Sequence, residues 1–327
     1  MKYDLTQARK CIETLDKRRF DRALLGSGDA FRHIVSLVPL LLHLNHPALP
    51  GYVEDAPAGI ADFILSNYQQ NFLSKEHPEL VEYVQSAVNS DAVFTPILGI
   101  YVMGSFGSIS QTSASDLDIW ICHQDDLSEQ DQQRLAEKTK KITQWASTFH
   151  VEMHFYLMTQ KRFRNERYSD PLTKENSGSA QYMLLLEEFY RSAVRLSGKP
   201  LLWLHLWVED EKQYEAEVAR LVAEGELNPN DWVDFGGLGQ FSASEYFGAS
   251  LWQLYKGIDS PYKSVMKILL LETYAQEYPN AHLIARQFKE DLLSGRSTAA
   301  HHFDPYIAIL ERISQYLTAH SEFKRLD

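Results

Sequence analysis

The sequence predicts an α+β fold, with a small mixed β-sheet in the middle of the chain and helical regions on both sides of it. Short runs of β-branched and aromatic residues, which are typical of buried strands, begin near Val93 and end near Val208. Before and after that part, apolar residues recur at helical spacing. We therefore expect an N-terminal helical region (1–92), an α/β core (93–208) and a C-terminal helical region (209–327).

The first region is predicted to be helical from the spacing of its apolar residues. The repeating positions are Leu5, Ala8, Ile12 and Leu15, followed by Phe31, Ile34, Val35 and Val38. The segment NHPALPGYVEDAPAG (45–59) interrupts this pattern with proline and glycine, so we expect a loop there.

Four strands are expected in the core. They are ILGIYVM (97–103), DLDIWIC (116–122), VEMHFYLM (151–158) and PLLWLHLWV (200–208). Ser128 is well placed to cap a helix between the second and third strands, because serine accepts hydrogen bonds from the first turn of a helix. A further helix should begin near Ser179, between the third and fourth strands.

The last region is predicted to be helical apart from a glycine-rich loop at 234–245. The aromatic residues of the 244–255 helix are expected to pack in the core. Ser260 followed by Pro261 is typical of a helix start. On the helix that follows, we expect a buried stripe made of Tyr262, Val265, Met266, Leu269 and Leu270.

Composition excludes several classes of protein. The 327 residues are 44% hydrophobic, which is ample for one large or two ordinary domains. A formal net charge of -12 argues against nucleic acid as the main partner, since proteins that bind it usually present a basic face. The two cysteines form neither metal-binding spacing nor a disulfide framework. The most apolar stretch, IVSLVPLLLHL (34–44), is too short to span a membrane, and we expect a cytoplasmic protein.

One constellation of residues, a Gly-Ser turn followed by an Asp-x-Asp pair, indicates a chemical function. The first predicted strand ends at Gly104 and Ser105, ten residues follow, and Asp116 and Asp118 then open the second strand. Alternate positions of a strand share a face, so the two carboxylates should lie side by side. Such a pair suits Mg²⁺, a hard cation commonly shared with phosphates. The glycine turn allows backbone N–H groups to approach phosphate oxygens.

Neither half of this constellation is informative alone. An isolated Asp-x-Asp is usually a strand-end feature, and an isolated Gly-Ser has no diagnostic value. Their joint occurrence on a strand, a turn and a second strand indicates metal-assisted phosphoryl or nucleotidyl transfer. The residues alone leave open whether the attacking group belongs to the same nucleotide or to an external acceptor.

The spacing of these residues resembles the signature of the DNA polymerase β-like nucleotidyltransferase superfamily. Longer segments are similar to the catalytic region of class I adenylate cyclases, the enterobacterial type. They are MGSFGSISQTSASDLDIWICHQ (103–124), LLLEEFYRSAVRLSGK (184–199), FSASEYFGASLWQLYK (241–256) and DSPYKSVMKILLLETY (259–274). The resemblance runs from about residue 21 to the end of the sequence.

The resemblance implies a nucleotidyltransferase core that converts ATP to 3′,5′-cyclic AMP and pyrophosphate. It implies Mg²⁺, or alternatively Mn²⁺, held by Asp116, Asp118 and a third carboxylate, for which Glu152 is the best match. His154, on the same strand face as Glu152, is expected to be a core or supporting residue. The family also has longer chains, with a C-terminal regulatory region that this sequence lacks and through which sugar phosphotransferase components would act.

The resemblance further assigns Gly104 and Ser105 to the phosphate-binding turn. Ser108, in the second Gly-Ser, either contributes to substrate binding or only starts a short helix. Ser179 is either a plain helix cap or a site where a helix N-terminus meets an anion. Lys263 either pairs with the nearby Asp259 or faces the β- and γ-phosphates of ATP.

Two hypotheses from different classes remain. The chain is a catalytic cyclase, or a transferase on the same core, or else it is a catalytically silent module that senses ATP. A silent module would tend to lose one of its metal ligands, and the sequence keeps Asp116, Asp118 and Glu152.

Overall fold

A four-stranded mixed sheet lies at the centre of the computed structural model, which describes residues 5–88, 95–113, 115–165, 182–295 and 300–320. The strands are β1 (Ile97–Met103), β2 (Leu117–His123), β3 (Met153–Met158) and β4 (Val194–Gly198). Their order across the sheet is β3-β2-β1-β4. Strand β1 is antiparallel to both of its neighbours, whereas β2 and β3 run parallel.

Helices precede, interrupt and follow the sheet. They are α1 (Leu5–Leu25), α2 (Asp29–His43), α3 (Asn67–Glu76), α4 (Val81–Val88), α5 (Glu129–Ser147), α6 (Gln160–Asn165), α7 (Tyr182–Ser192), α8 (Leu202–His205), α9 (Tyr214–Ala223), α10 (Ala243–Lys256), α11 (Pro261–Gln276), α12 (Ile284–Ser294) and α13 (Pro305–Ala319). None of the helices in the described part of the chain is both long and apolar enough to cross a bilayer.

The sheet separates two hydrophobic clusters. On β2, Ile119 and Ile121 belong to the cluster formed with α2 and α5, while Trp120 belongs to the cluster formed with α7 and the C-terminal helices. This alternation follows from the period of two along a strand. The predicted α+β architecture, a small mixed sheet flanked by helical regions, is confirmed. The domain boundaries at 92 and 208 stay a prediction.

The prediction of the fourth strand is wrong. Strand β4 is Val194–Gly198, and the segment expected to be a strand contains the short helix α8. Leu201, Leu202 and Trp203 are all buried, so this run is apolar without any period. A short apolar run buried on all sides cannot be assigned to strand or helix by periodicity.

The predicted stripe of α11 is partly wrong as well. Tyr262 is 87% exposed and Val265 is also exposed, whereas Leu270 is buried as expected. On α10, Trp252 is buried but Phe247 is 69% exposed. The pair of helices thus buries one face and leaves a second apolar face open.

Candidate functional site

The acid pair lies at the start of β2. Asp118 is the second residue of the strand, and Asp116 directly precedes it. The pleat directs Asp118 to the same side as Trp120, toward the C-terminal helices. Asp116 is exposed and Asp118 is half-buried. The pKa of Asp118 is raised to about 6, chiefly by burial and secondly by the neighbouring charge of Asp116.

Strand β3 lies alongside and presents its own polar residues on this face. Asp118 is in register with His154, whose charge lowers the pKa of Asp118 and so opposes the effect of burial. The Tyr156 hydroxyl donates to Asp118 Oδ1 at 3.2 Å. Together these residues surround one carboxylate with a hydroxyl, an imidazole and a second carboxylate.

Glu152, the proposed third ligand, is placed next to the pair by the backbone. Leu117 N donates to the carbonyl oxygen of Glu152 at 3.0 Å, which aligns Glu152 with Asp116 across the two parallel strands. Its side chain is 72% exposed, with Oε1 lying 3.2 Å from His154 Nε2. In the part of the chain that the structure describes, no three His, Cys, Asp or Glu side chains converge as a preformed metal site.

The Gly-Ser turn brings the backbone up to the acid pair. Gly104 has φ +84, and a Cβ added to it would lie 3.8 Å from Asp118 Oδ2. A residue with a side chain would be strained in this conformation, so glycine suits the position. The Gly104 N–H donates to Ser192 Oγ at 3.1 Å, and is therefore already paired within the protein.

Ser105 and Ser108 are both buried. The Ser108 hydroxyl donates to the carbonyl oxygen of Ser105 at 2.7 Å and accepts from Ser110 N at 3.2 Å. These bonds close a compact turn rather than a short helix. Ser179 and its surroundings lie outside the described residues.

Lys263 approaches the acid pair from the C-terminal region. Helix α11 begins at Pro261 as predicted, with Ser260 at the cap position but without a side-chain capping bond. Lys263 is half-buried, and burial lowers the pKa of its ammonium. Asp116 and Asp118 oppose that effect, so both carboxylates act on this lysine.

Lys267 lies one turn further on and is half-buried. Its Nζ donates to Glu188 Oε1 at 2.7 Å. Burial lowers the pKa of Lys267, but the charge of Glu188, the charge of Tyr306 and the hydrogen bond to Glu188 together hold the pKa above its usual value. Helix α11 thus carries two ammonium groups on the side that faces the sheet.

Several contacts around the turn were not visible in the sequence. Ile109 N donates to Asp304 Oδ2 at 2.7 Å, and Asp304 also accepts from Arg22. Gly107, with φ +68, packs against the backbone of Arg19 on α1. Such partners are distant in sequence, so no local pattern could reveal them. For α7, a signal was available in Glu187 and Glu188, two neighbouring acids that directly follow the apolar run 182–186.

The chemistry of this donor set suits a hard divalent cation. Two carboxylates share one face at the start of β2, and the raised pKa of Asp118 shows that burial, followed by repulsion from Asp116, disfavours its ionised form. A cation with oxygen ligands would relieve that repulsion. The ammonium of Lys263 lies in a partly desolvated position where an anion would stabilise it.

Comparison with known families and proteins identifies the relatives of this chain. A family model described as "Adenylate cyclase NT domain" matches residues 4–204, which is more than half of the chain. The chain belongs to the class I adenylate cyclase family. A second model, "Adenylate cyclase, class-I, second domain", matches residues 241–327. The resemblance inferred from the four sequence segments is therefore confirmed.

Individual relatives within the family are much longer than this chain. It is 68% identical to the adenylate cyclase of Haemophilus influenzae over 100% of its own length, but that match covers 39% of the relative. The identity is 62% to the adenylate cyclase of Pasteurella multocida, with 100% and 39% covered. For the adenylate cyclase of Escherichia coli K12 it is 45%, with 97% and 37% covered.

A solved structure of the spectinomycin adenyltransferase from Enterococcus faecialis with ATP and spectinomycin is also similar at a low level. It is 14% identical, and the match covers 79% of this chain and 93% of that chain with a TM-score of 0.33. A likeness of this size does not bear on the function of the class I cyclase chain.

Proposed function

We propose that this chain carries the cyclase reaction of its family, the conversion of ATP to 3′,5′-cyclic AMP and pyrophosphate. The observation that supports this most is that Asp116 and Asp118 lie close enough to Lys263, from a distant part of the chain, for their charges to raise the pKa of its ammonium against the effect of burial. Class I cyclase membership supports the choice of an intramolecular product. The chain spans 39% of the length of its relatives, so the activity of this portion is the point to be tested.

Asp116 and Asp118 would hold a divalent cation, Mg²⁺ or Mn²⁺. When bound, such a cation neutralises charge on the triphosphate and favours ionisation of the attacking 3′-hydroxyl. The carboxylates would position the nucleotide, because the cation that they hold fixes where its phosphates bind. Glu152 would join them by turning away from His154, which its exposed side chain allows.

Lys263 would bind the β- and γ-phosphates. Its partly desolvated ammonium strengthens the attraction to a polyanion, and the N-terminus of α11 adds the favourable end of the helix dipole. Stabilising the negative charge that develops on the β- and γ-phosphate oxygens helps pyrophosphate to leave. Gly104 and Ser105 would shape the floor of this site, because their backbone runs next to Asp118.

The test is incubation of the chain with ATP and either Mg²⁺ or Mn²⁺, followed by anion-exchange chromatography. We expect cyclic AMP and pyrophosphate in equal amounts, and formation roughly 10²–10³-fold slower with Asp118→Asn measured in parallel. ATP binding without turnover would instead identify a nucleotide-sensing module. Product that appears only with an added acceptor would identify a nucleotidyltransferase. Either of these results would contradict the proposal.

A further inference from the structure

Asp304 lies between the Gly-Ser turn (residues 104–111) and two helices, with 1% of its side chain exposed. Its Oδ1 accepts from Tyr306 N at 3.0 Å and from Ile307 N at 3.2 Å, which caps helix α13. Its Oδ2 accepts from Ile109 N of the turn at 2.7 Å and from Arg22 Nη1 of α1 at 3.0 Å. The two oxygens therefore serve different elements.

Capping of α13 does not by itself account for this arrangement. The residues that cap α5 and α10, Ser128 and Ser242, are exposed, and each accepts from the N–H of one residue in the first turn of its helix. Asp304 is instead a buried carboxylate, which is costly unless its oxygens are bonded. Because the second oxygen bonds outside the helix that the first one caps, a further role is indicated.

The same turn is held from its other side by α1 and the segment directly after it. Gln111 Oε1 accepts from Gly107 N at 2.6 Å. Gln111 Nε2 donates to the carbonyl oxygen of Ala23 at 3.1 Å and to Ser27 Oγ at 2.9 Å. Residues 107–111 belong to neither a strand nor a helix, so their position depends on these bonds and on the bond to Asp304.

Ile109 is closely coupled to the part of the turn that lies nearest the acid pair. It directly follows Ser108, whose hydroxyl and backbone N–H donate to the carbonyl oxygen of Ser105 at 2.7 Å and 3.0 Å. A movement of Ile109 would therefore displace Ser105, which follows Gly104. A displacement of about 1 Å in a positioned group can slow a reaction by roughly 10²-fold.

We propose that Asp304 is a positioning residue that fixes the Gly-Ser turn for phosphate binding through its bond to Ile109. The inference rests on the proposed function, because that function makes phosphate the ligand of the turn. Asp304 would then be a second contribution of the C-terminal helical region to the site, besides Lys263. Unlike Lys263, it acts only through the backbone of the turn.

The experiment is a calorimetric titration of the 327-residue chain with α,β-methylene-ATP and Mn²⁺. In this analogue a methylene group replaces the oxygen that would leave, so binding is measured without turnover. Asp304→Ser keeps a good helix cap, but the shorter side chain does not reach Ile109 N. We expect the affinity to fall roughly 10–100-fold, as when a residue that orients a ligand-binding group is removed.

Arg22→Met is the matched control. It removes the other partner of Asp304 Oδ2 and leaves the bond to Ile109 in place. We expect this variant to melt at a lower temperature, because a buried carboxylate loses its ion pair, with an unchanged affinity for the analogue. If Asp304 served stability alone, both variants would melt earlier and neither would lose affinity.

The amide of Ile109 reports on the turn itself, without any ligand. Its hydrogen exchange, followed by NMR, should be roughly 10–100-fold faster in Asp304→Ser, because a hydrogen bond to a charged acceptor is lost. The exchange rate should stay at the wild-type value in Arg22→Met.

Asp304→Asn takes the place of Asp304→Ser if the serine variant does not fold. Asparagine caps helices as well as aspartate does. With its oxygen on the N–H groups of α13, its NH₂ group would face Ile109 N–H and Arg22, which are both donors. The same losses of affinity and of protection at Ile109 are expected.

Wild-type affinity in the folded Asp304 variant, an equal loss in Arg22→Met, or an unchanged exchange rate at Ile109 would overturn the inference. A wild-type chain that binds the analogue but forms no cyclic AMP from ATP would contradict the proposed function, and the affinities would still test Asp304. A chain that forms cyclic AMP while the Asp304 variant binds the analogue normally would contradict the inference alone. A wild-type chain that does not bind the analogue would overturn both.

Discussion

Asp118 is a half-buried carboxylate whose pKa is raised to about 6 by burial and by Asp116. At pH 7 it is therefore mostly ionised in a position that disfavours the charge. Asp118→Asn should lower kcat by roughly 10²–10³-fold, because one of the two carboxylates that would hold the divalent cation at the reacting phosphates is lost. The melting temperature without metal should stay the same or rise, since a repelling pair is relieved.

The control for this variant is Asp21→Asn, which removes an exposed carboxylate paired with Lys17 on α1. It should leave both kcat and melting temperature nearly unchanged. Cyclic AMP formation at the wild-type rate by Asp118→Asn would show that the site lies elsewhere.

Glu152 carries a separate prediction. Glu152→Gln should reduce kcat more than it weakens ATP binding, because Asp116 and Asp118 would still hold the cation shared with the triphosphate. The measurement is kcat and KM for ATP at saturating Mg²⁺, with His154→Gln as the companion variant. An unchanged kcat would mean that the third ligand is another residue, or that two carboxylates suffice.

The acid pair could be predicted from sequence, because two like charges at alternate strand positions stand out within a single stretch. Lys263 could be proposed from an unfavourable charge in the first turn of a helix. Ser192 and Glu188 could not be predicted, since their importance depends on contacts with Gly104 and Lys267. These partners lie on other elements, and no periodicity connects them.

At the scale of elements, the docking of α1 depends on one glycine. Gly107 has φ +68, and a Cβ there would lie 2.3 Å from the carbonyl oxygen of Arg19. Gly107→Ala should lower the free energy of unfolding by about 2–4 kcal/mol, through backbone strain and overpacking together. Urea unfolding measures this change.

Gly225 provides the matched comparison. It has φ +72, but an added Cβ would meet no atom within 4 Å. Gly225→Ala should therefore cost only the strain of the backbone, about 1–2 kcal/mol. Equal losses in the two variants would show that the contact with α1 contributes nothing.

Asp16, on α1, makes stability depend on pH. Burial raises its pKa from 3.8 to about 7, although Arg195 and Arg19 oppose this. Between these two values the folded state binds more protons than the unfolded state, so the contribution of Asp16 to the free energy of unfolding falls as pH rises. It is fully present below pH 4 and lost above pH 7.

The variant Asp16→Asn should remove that dependence. Compared with the wild type, its free energy of unfolding should decline less between pH 4 and pH 7, as measured by urea unfolding at several pH values. Asp21→Asn, on the exposed side of the same helix, should follow the wild-type curve. Parallel curves for wild type and Asp16→Asn would contradict the prediction.

Element types followed the sequence where a strand is rich in β-branched and aromatic residues, as in β1 and β2, and where one face of a helix is buried, as in α5. They failed at β4, where the apolar-polar alternation spans only the four residues 194–197, and at the uniformly apolar run that contains α8. Strand β4 exists because β1 pairs with it, as in Ile100 with Ser197. That pairing is tertiary information, which a single sequence does not display.

At the scale of the whole molecule, Lys263 brings a positive charge from the C-terminal helices near the acid pair of the sheet. Lys263→Ala should raise KM for ATP roughly 10–100-fold and slow pyrophosphate release, because a charged contact with the phosphates is lost. The melting temperature without nucleotide should be unchanged or slightly higher, since a partly desolvated ammonium is removed. Measuring both quantities on this one variant tests the proposal.

Lys256→Ala is the control, because Lys256 lies on the adjacent helix α10 and stacks on Trp252. It should leave KM for ATP unchanged. If Lys263 instead pairs with Asp259, Lys263→Ala should melt at a lower temperature, with little change in kcat or in KM for ATP.

The acid pair and Lys263 come from distant parts of the chain, and this separation has a consequence during synthesis. A ribosome adds about 5–20 residues per second, so Asp116 and Asp118 emerge on the order of ten seconds before Lys263. In that interval the nascent chain carries its two neighbouring acids without the lysine that balances them. If Lys263 binds the nucleotide as proposed, recognition is acquired only after Lys263 has emerged, and a chain released before that point would hold the acids but not the cation that faces them.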